Sequence, residues 1–274
     1  MEDDASSKGE TMTATRGSTN ENLCMYVGGY TETGYRYHNE DYFAMDEQEQ
    51  VYVVSDGIGG APCGDYFSRA SCNLFLRYWR ETKEELVYDS VEERLKEVIV
   101  RTNSYLSDQN DLIGNPGSGC TLLAAAFGDG FLSVGSVGDS RAYLLRDNSL
   151  HPLSGAGRRD STSNRLDYAI GYRSNPSPVM STHRLQKDDV VVLCTDGVWE
   201  KQDNLAEQLN PEGVQPSKRL ANDLAHLVVE ASDGSDNATA VVLVAGSTDF
   251  APQEVTPMAD ESMHCALLRG IPQV

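Results

Sequence analysis

No apolar run in this 274-residue chain exceeds five or six residues, Val190-Val191-Val192-Leu193-Cys194 being typical. A membrane-spanning helix needs about 20, so none is expected. The opening Met1-Glu2-Asp3-Asp4 has neither the positive n-region nor the apolar h-region of a secretory signal. Both absences point to a cytoplasmic protein. The six cysteines, at 24, 63, 72, 120, 194 and 265, include no CxxC pair, which disfavours a disulfide framework or a zinc cluster. The five histidines make no HxH or HxxxH pair, so a zinc hydrolase is equally disfavoured. Positive charge is scarce too: 22 Lys and Arg face 42 Asp and Glu, a net charge of −20. Such a chain is repelled by nucleic acid and by anionic lipid, so neither is expected as a partner.

What is present is an ordinary globular composition, 39% hydrophobic and 23% charged. Residues 1–20, rich in Ser, Thr, Asp and Glu, read as a disordered N-terminal tail. Residues 247–274, punctuated by Pro252, Pro257 and Pro272, read as a C-terminal tail or loosely docked extension. The folded unit is therefore expected within 21–246. Strand-length β-branched and aromatic runs occur at 51–54, 131–137, 141–145, 190–194 and 240–245. Helical stripes are Phe67/Ala70/Leu74/Tyr78, Val91/Leu95/Val98/Thr102/Tyr105, and Leu220/Leu224/Leu227/Ala231, the last entered through Pro216-Ser217. Strands interleaved with long helices indicate an α+β layering. The segment 146–189, rich in Gly, Arg, Ser, Asn and Pro, reads as irregular surface structure.

One setting recurs: an apolar strand, then an aspartate, then a turn. It holds Asp56, Asp139 and Asp196, while Asp236 immediately precedes a strand and Asp41 heads a short aromatic stretch. Any one of these could be a plain turn former. Together they would converge at one sheet edge, and like charges that close need a cation between them. Hard divalent ions such as Mg²⁺ or Mn²⁺ take oxygen ligands of this kind, and Gly57 leaves a backbone carbonyl open to approach.

Six ordered segments then carry a resemblance: Arg36-Tyr37-His38-Asn39-Glu40-Asp41, Asp56-Gly57-Ile58-Gly59-Gly60, Gly119-Cys120-Thr121, Val137-Gly138-Asp139-Ser140-Arg141-Ala142-Tyr143, Thr195-Asp196-Gly197-Val198-Trp199-Glu200 and Asp236-Asn237-Ala238-Thr239. They resemble the metal-dependent protein phosphatases of the type-2C serine/threonine kind, in a compact bacterial-like form. The resemblance implies a four-layer αββα fold, two antiparallel sheets packed as a β-sandwich and flanked by helix pairs. It implies hydrolysis of phosphoserine and phosphothreonine by direct attack of a water bridging two divalent metals, Mn²⁺ or Mg²⁺, with a third, weaker ion. By the same resemblance Asp56 bridges both metals and Gly57 gives its carbonyl. Asp196 and Asp236 complete one shell, Glu40 and Asp41 hold the other ion, and Asp139 with Asp196 holds the third. Arg36 binds the substrate phosphate. The implied partners are phosphoproteins made by a serine/threonine kinase, and a monomer is expected.

The alternative within the same scaffold is a catalytically weak or inactive regulatory or binding protein, although the full set of acids argues against it. Cys63 and Arg69 match the bare spacing of a cysteine phosphatase, but their intervening residues read as the start of a helix. Ile58 and Ala61 stand where relatives carry histidine, leaving His38 as a weak proton donor. Glu200 stands where aspartate is usual near the third ion. Asn164-Arg165-Leu166 and Ala169-Ile170-Gly171 match the end of the family's mobile flap.

Overall fold

The computed structural model describes residues 23–61, 63–85, 88–113, 117–155, 168–172, 176–200, 204–211 and 213–247. Apart from Ser247, which ends the last strand, both expected tails, and Asn164-Arg165-Leu166 of the flap, lie outside the described residues. The elements run β1 (Leu23–Glu32), β2 (Asp41–Asp46), β3 (Val51–Asp56), α1 (Gly64–Thr82), α2 (Val91–Ile113), β4 (Leu122–Gly128), β5 (Phe131–Val137), β6 (Arg141–Arg146), β7 (Ser149–Pro152), β8 (Val179–Arg184), β9 (Val190–Cys194), α3 (Asp196–Trp199), α4 (Leu205–Gln208), α5 (Lys218–Glu230) and β10 (Ala238–Ser247). Two five-stranded sheets result, ordered β1-β10-β9-β6-β7 and β2-β3-β4-β5-β8, and the pairings within both are antiparallel.

The period-two side-chain alternation of a strand explains the layering. In β3, Val51 and Val53 face the helical core while Tyr52 and Val54 face the core between the sheets. In β9, Val191 and Leu193 enter the inter-sheet core, and Val190, Val192 and Cys194 pack under α5. Because both faces are covered, these strands are apolar throughout rather than alternating. The α1/α2 pair covers one sheet, with Phe67, Leu74, Phe75, Leu95, Val98 and Ile99 buried against it. The other sheet is covered by α5 and two single-turn helices, so its flanking pair is one long helix and two short ones. The order is helices, sheet, sheet, helices, the αββα sandwich expected.

Strand β1 closes on α5 through glycine. A Cβ at Gly28 of β1 would sit 2.3 Å from the backbone nitrogen of Asn222 in α5, so only hydrogen lets that helix lie so close. Ser217 caps α5 by accepting from the Leu220 amide at 3.1 Å, as its position after Pro216 predicts. The segment 146–189 is not irregular throughout: it contains β7 and β8, edge strands whose polar, half-exposed residues hide their strand character. Cys63 caps α1 in a left-handed conformation, so the Cys63–Arg69 stretch opens a helix as expected. Cys24, Cys72, Cys120 and Cys194 are free thiols. No helix among the described residues is long and apolar enough to cross a membrane.

Candidate active site

The acids gather where strand ends of the two sheets meet. In the β2–β3 ladder Asp41 stands directly opposite Asp56, the first residue of one strand against the last of the other. Asp56 is fixed through its backbone: its amide donates to Thr121 Oγ1 at 2.9 Å and its carbonyl accepts from the Thr121 amide at 2.8 Å. Thr121 Oγ1 is in turn 2.7 Å from Ser140 Oγ, next to Asp139. The positive φ of Gly138 (96°) lets β5 turn so that Asp139 is buried, and a Cβ there would press on Thr121. From the other sheet, Asp196 opens α3 immediately after β9, and Asp236 precedes β10.

Burial, reinforced by the charges of Asp41, Asp196, Asp139 and Asp236 in that order, holds the Asp56 carboxyl well above the ordinary aspartate range. Asp56 itself is half-buried. Burial also pushes Asp41 up to about 7, against hydrogen bonds from Thr239 and Thr195, with the charge of Asp196 adding to the rise. Thr195 Oγ1 donates to Asp41 Oδ2 at 2.8 Å and accepts from the Thr239 amide at 3.0 Å. The second oxygen, Asp41 Oδ1, is buried with no hydrogen-bond partner. Burial and then the charge of Asp65 raise Glu40, whose Oε1 would be 2.7 Å from a Cβ on Gly64 at the start of α1. Gly57 is equally confined, since a Cβ there would meet the Gly64 carbonyl at 2.5 Å.

Arg36 and Asp236 meet directly. Arg36 Nη2 donates to Asp236 Oδ2 at 2.7 Å and Arg36 Nε to the Ser235 carbonyl at 3.2 Å, with half of the arginine side chain exposed. Among the described residues, no three His, Cys, Asp or Glu side chains are arranged to close on one ion. The hydrogen bonds show why: one oxygen of Asp41 is turned to Thr195 and one of Asp236 to Arg36. The donor set nonetheless fits an oxygen-ligated divalent site. An orphaned buried carboxylate oxygen and a cross-strand acid pair under the charges of three further aspartates are what such an ion satisfies.

Chain matches now bear on the identity. The Protein phosphatase 2C family profile matches residues 30–239. The chain belongs to the protein phosphatase 2C family. Among its curated relatives, the serine/threonine phosphatase stp of Listeria welshimeri is 28% identical over 235 residues, covering 76% of this chain and 90% of that one. PstP of Mycobacterium tuberculosis is 22% identical over 229 residues, 76% of this chain and 42% of the relative. Among solved structures, PppA, a regulatory component of T6SS in Pseudomonas aeruginosa, superposes with a TM-score of 0.68 at 23% identity, covering 81% of this chain and 98% of that one. The PstP catalytic domain in complex with two manganese ions superposes at 0.65 and 20% identity, covering 82% and 100%.

Within this phosphatase 2C chain the structure brings together Asp41, Asp56, Asp139, Asp196 and Asp236, with Glu40 and Gly57 alongside. His38 is exposed, and its carbonyl accepts from Asn237 Nδ2. Four further contributors escaped the sequence reading. Asn237 Oδ1 accepts from the Glu40 amide at 2.9 Å, while its Nδ2 donates to the Thr33 and His38 carbonyls, so it pins the whole 33–40 loop. Thr195 and Thr239 orient Asp41, and Asp65 adds a seventh acid on Glu40's side. The threonines and the asparagine sit one to three residues from a motif aspartate, and that adjacency was their only signal.

Proposed function

We propose that this protein serine/threonine phosphatase hydrolyses phosphoserine and phosphothreonine by direct attack of water, with Asp56, Gly57, Glu40, Asp41, Asp196 and Asp236 holding two Mn²⁺ or Mg²⁺ ions and Asp139 serving a third. The observation that carries this reading is the Asp41–Asp56 pair at adjoining strand ends, where burial first and the charges of neighbouring aspartates second hold both carboxyls above their ordinary range. Such a cluster is unfavourable without a cation and well suited to one. Bound there, two divalent cations would supply an activated water nucleophile and neutralise charge on the phosphoryl group.

The chain's own residues do the rest. Asp56, anchored through backbone bonds to Thr121, and Asp41, oriented by Thr195, present fixed carboxylate oxygens at the adjoining strand ends. Asn237 fixes the Glu40 backbone, so that acid cannot swing away with its loop. Arg36 presents a planar guanidinium at the mouth, a shape matched to two phosphate oxygens. Asp236 and the Ser235 carbonyl preset its orientation. With Ile58 and Ala61 in place of a histidine, water in the site protonates the leaving alkoxide.

On the same reading the enzyme acts in the cytoplasm, as a monomer, on proteins phosphorylated by a serine/threonine kinase; the free thiols of Cys24, Cys72, Cys120 and Cys194 fit a reducing compartment. The test is phosphate release from phosphothreonine, phosphoserine and phosphotyrosine peptides. Release from the first two that requires Mn²⁺ or Mg²⁺ and stops with chelator is expected. Metal-independent release, or none, overturns the reading.

A further inference from the structure

The β6–β9 ladder points at two of the acids. Its last pair on that side is Arg141 opposite Cys194, and the Cys194 thiol also donates to the Arg141 carbonyl at 3.6 Å. Two residues further along each chain stand Asp139 and Asp196. Counting on in the same antiparallel register brings them level, and the charges of both act on Asp56. The ladder stops short of them, so contacts between side chains decide how closely the two turns approach.

One such contact spans the same two segments. Arg141, the first residue of β6, has its guanidinium carbon 3.3 Å from the centre of the ring of Trp199, the last residue of α3. Ala142 and Leu144 enter the inter-sheet core, so Arg141 and Tyr143 point to the other face, where Tyr143 and Trp199 pack on the core under α5. Arg141 Nη1 donates to the Tyr143 hydroxyl at 3.3 Å. The stack forms although Arg141 Nε and Trp199 Nε1 are buried in it with no hydrogen-bond partner. Two donors left unmatched are destabilising, so the attraction between guanidinium and indole face has to outweigh them.

The two acids are each tied elsewhere. The Thr195 amide donates to the Thr239 carbonyl at 3.1 Å, and Gly197 lies against the Asn237 carbonyl, which fixes the Asp196 turn to β10. Ser140, beside Asp139, joins Thr121. Neither tie links one acid's segment to the other's; the Arg141–Trp199 stack does.

We infer that Arg141 and Trp199 are positioning residues, whose stack holds the Asp139 turn against the Asp196 turn and so sets how tightly that pair takes a divalent cation. The inference rests on the reading above, in which Asp139 serves a third ion beside the two held by the rest of the cluster.

The experiment titrates Mn²⁺ into the full chain by calorimetry, with folding checked by circular dichroism. Asp139→Asn should abolish a weaker class of binding that wild type shows beside two tight ions. Trp199→Leu and Arg141→Met should weaken that class about tenfold, the lower end of the loss usual when a residue behind a metal ligand is removed. Tight binding should be unchanged, and Trp199→Phe, which keeps a ring face, should retain most of the weak affinity. The sign for Arg141→Met is decisive, and that variant carries the test alone should Trp199→Leu fail to fold. Removing a positive charge beside a cation site tightens binding by electrostatics alone, so weakening requires the positional role. Unchanged or tighter weak binding in Arg141→Met, equal loss at both classes, a Trp199→Phe variant no better than Trp199→Leu, or weak binding that survives Asp139→Asn overturns the inference. A wild type with two tight ions and no weaker one also overturns it, leaving the phosphatase reading intact. A wild type that binds no Mn²⁺ and releases no phosphate from para-nitrophenyl phosphate overturns both.

Discussion

The acid cluster makes a thermodynamic prediction that needs no substrate. In the metal-free protein burial holds Asp41 at about 7 and Asp56 well above its ordinary range. An unfolded aspartate titrates near 4. Between those values the folded state binds protons that the unfolded state has released, so the stability of the metal-free chain falls as pH rises from about 4 through about 7. The effect is on the order of a few kcal/mol for a shift of this size. A divalent cation replaces the proton and should reverse the loss. At a free Mn²⁺ concentration of about 100 times Kd, mass action contributes roughly 2.7 kcal/mol. For a domain of this length that raises Tm by about 5–10 °C. The shift should be large at pH 7.5 and small at pH 5, where protons compete for the same oxygens. Asp56→Asn removes the carboxylate on which four other aspartates act: by scanning calorimetry it should melt above wild type in chelator at pH 7.5, yet show no Mn²⁺ shift. A variant that melts lower in chelator, or keeps the full Mn²⁺ shift, would refute the argument that these carboxylates repel one another around a cation site.

Asp196→Asn should lower kcat by several orders of magnitude on para-nitrophenyl phosphate while the fold, read by circular dichroism, survives; wild-type turnover would remove Asp196 from the metal set. Arg36→Ala should act mainly on KM, because the exposed fork binds phosphate in the ground state, and an unchanged KM would take Arg36 out of the phosphate site. Gly197→Ala should cost several kcal/mol in urea denaturation, since its Cβ would stand 1.9 Å from the Asn237 carbonyl oxygen and force backbone apart beside Asp196. A Gly197→Ala midpoint equal to wild type would show that the two backbones are not held together as described.

How much of this was legible in sequence depends on whether burial leaves a period. The stripes at Phe67–Tyr78, Val91–Tyr105 and Leu220–Ala231 mark α1, α2 and α5. In the last, however, Leu227 is exposed and Ala231 lies past the helix end, the buried face running through Leu220, Ala221, Leu224, Ala225 and Val228. β9 and β10 were legible as unbroken β-branched runs. β4 was not: Leu-Leu-Ala-Ala-Ala-Phe-Gly has no alternation and an alanine run that favours helix, and only burial on both faces makes it a strand. β1 was hidden by Gly28-Gly29, which reads as a break until α5 is seen lying against the first of them. At the site, the motif aspartates stood out because each ends or begins a strand. Their distribution between two sheets did not stand out, nor did the ion pair joining Arg36 to Asp236 across 200 residues of sequence.

That distribution has a consequence for how the site is held. Asp41 and Asp56 belong to one sheet, while Asp196 and Asp236 flank strands of the other, so no single hairpin can preassemble the cluster. Its geometry depends on how the two sheets face each other, and the inter-sheet core of Tyr52, Val54, Leu123, Leu193, Val241 and Leu243 sets that. Polar ties then fix the final register: Thr195, at the end of β9, reaches Asp41 at the start of β2, and Asn237, ahead of β10, clamps the backbone of Glu40. A cation ligated from both sides would add a third tie of the same kind. The repulsion that makes the metal-free cluster costly would then also make ion binding strengthen the contact between the sheets, coupling the stability of the sandwich to the readiness of its active site.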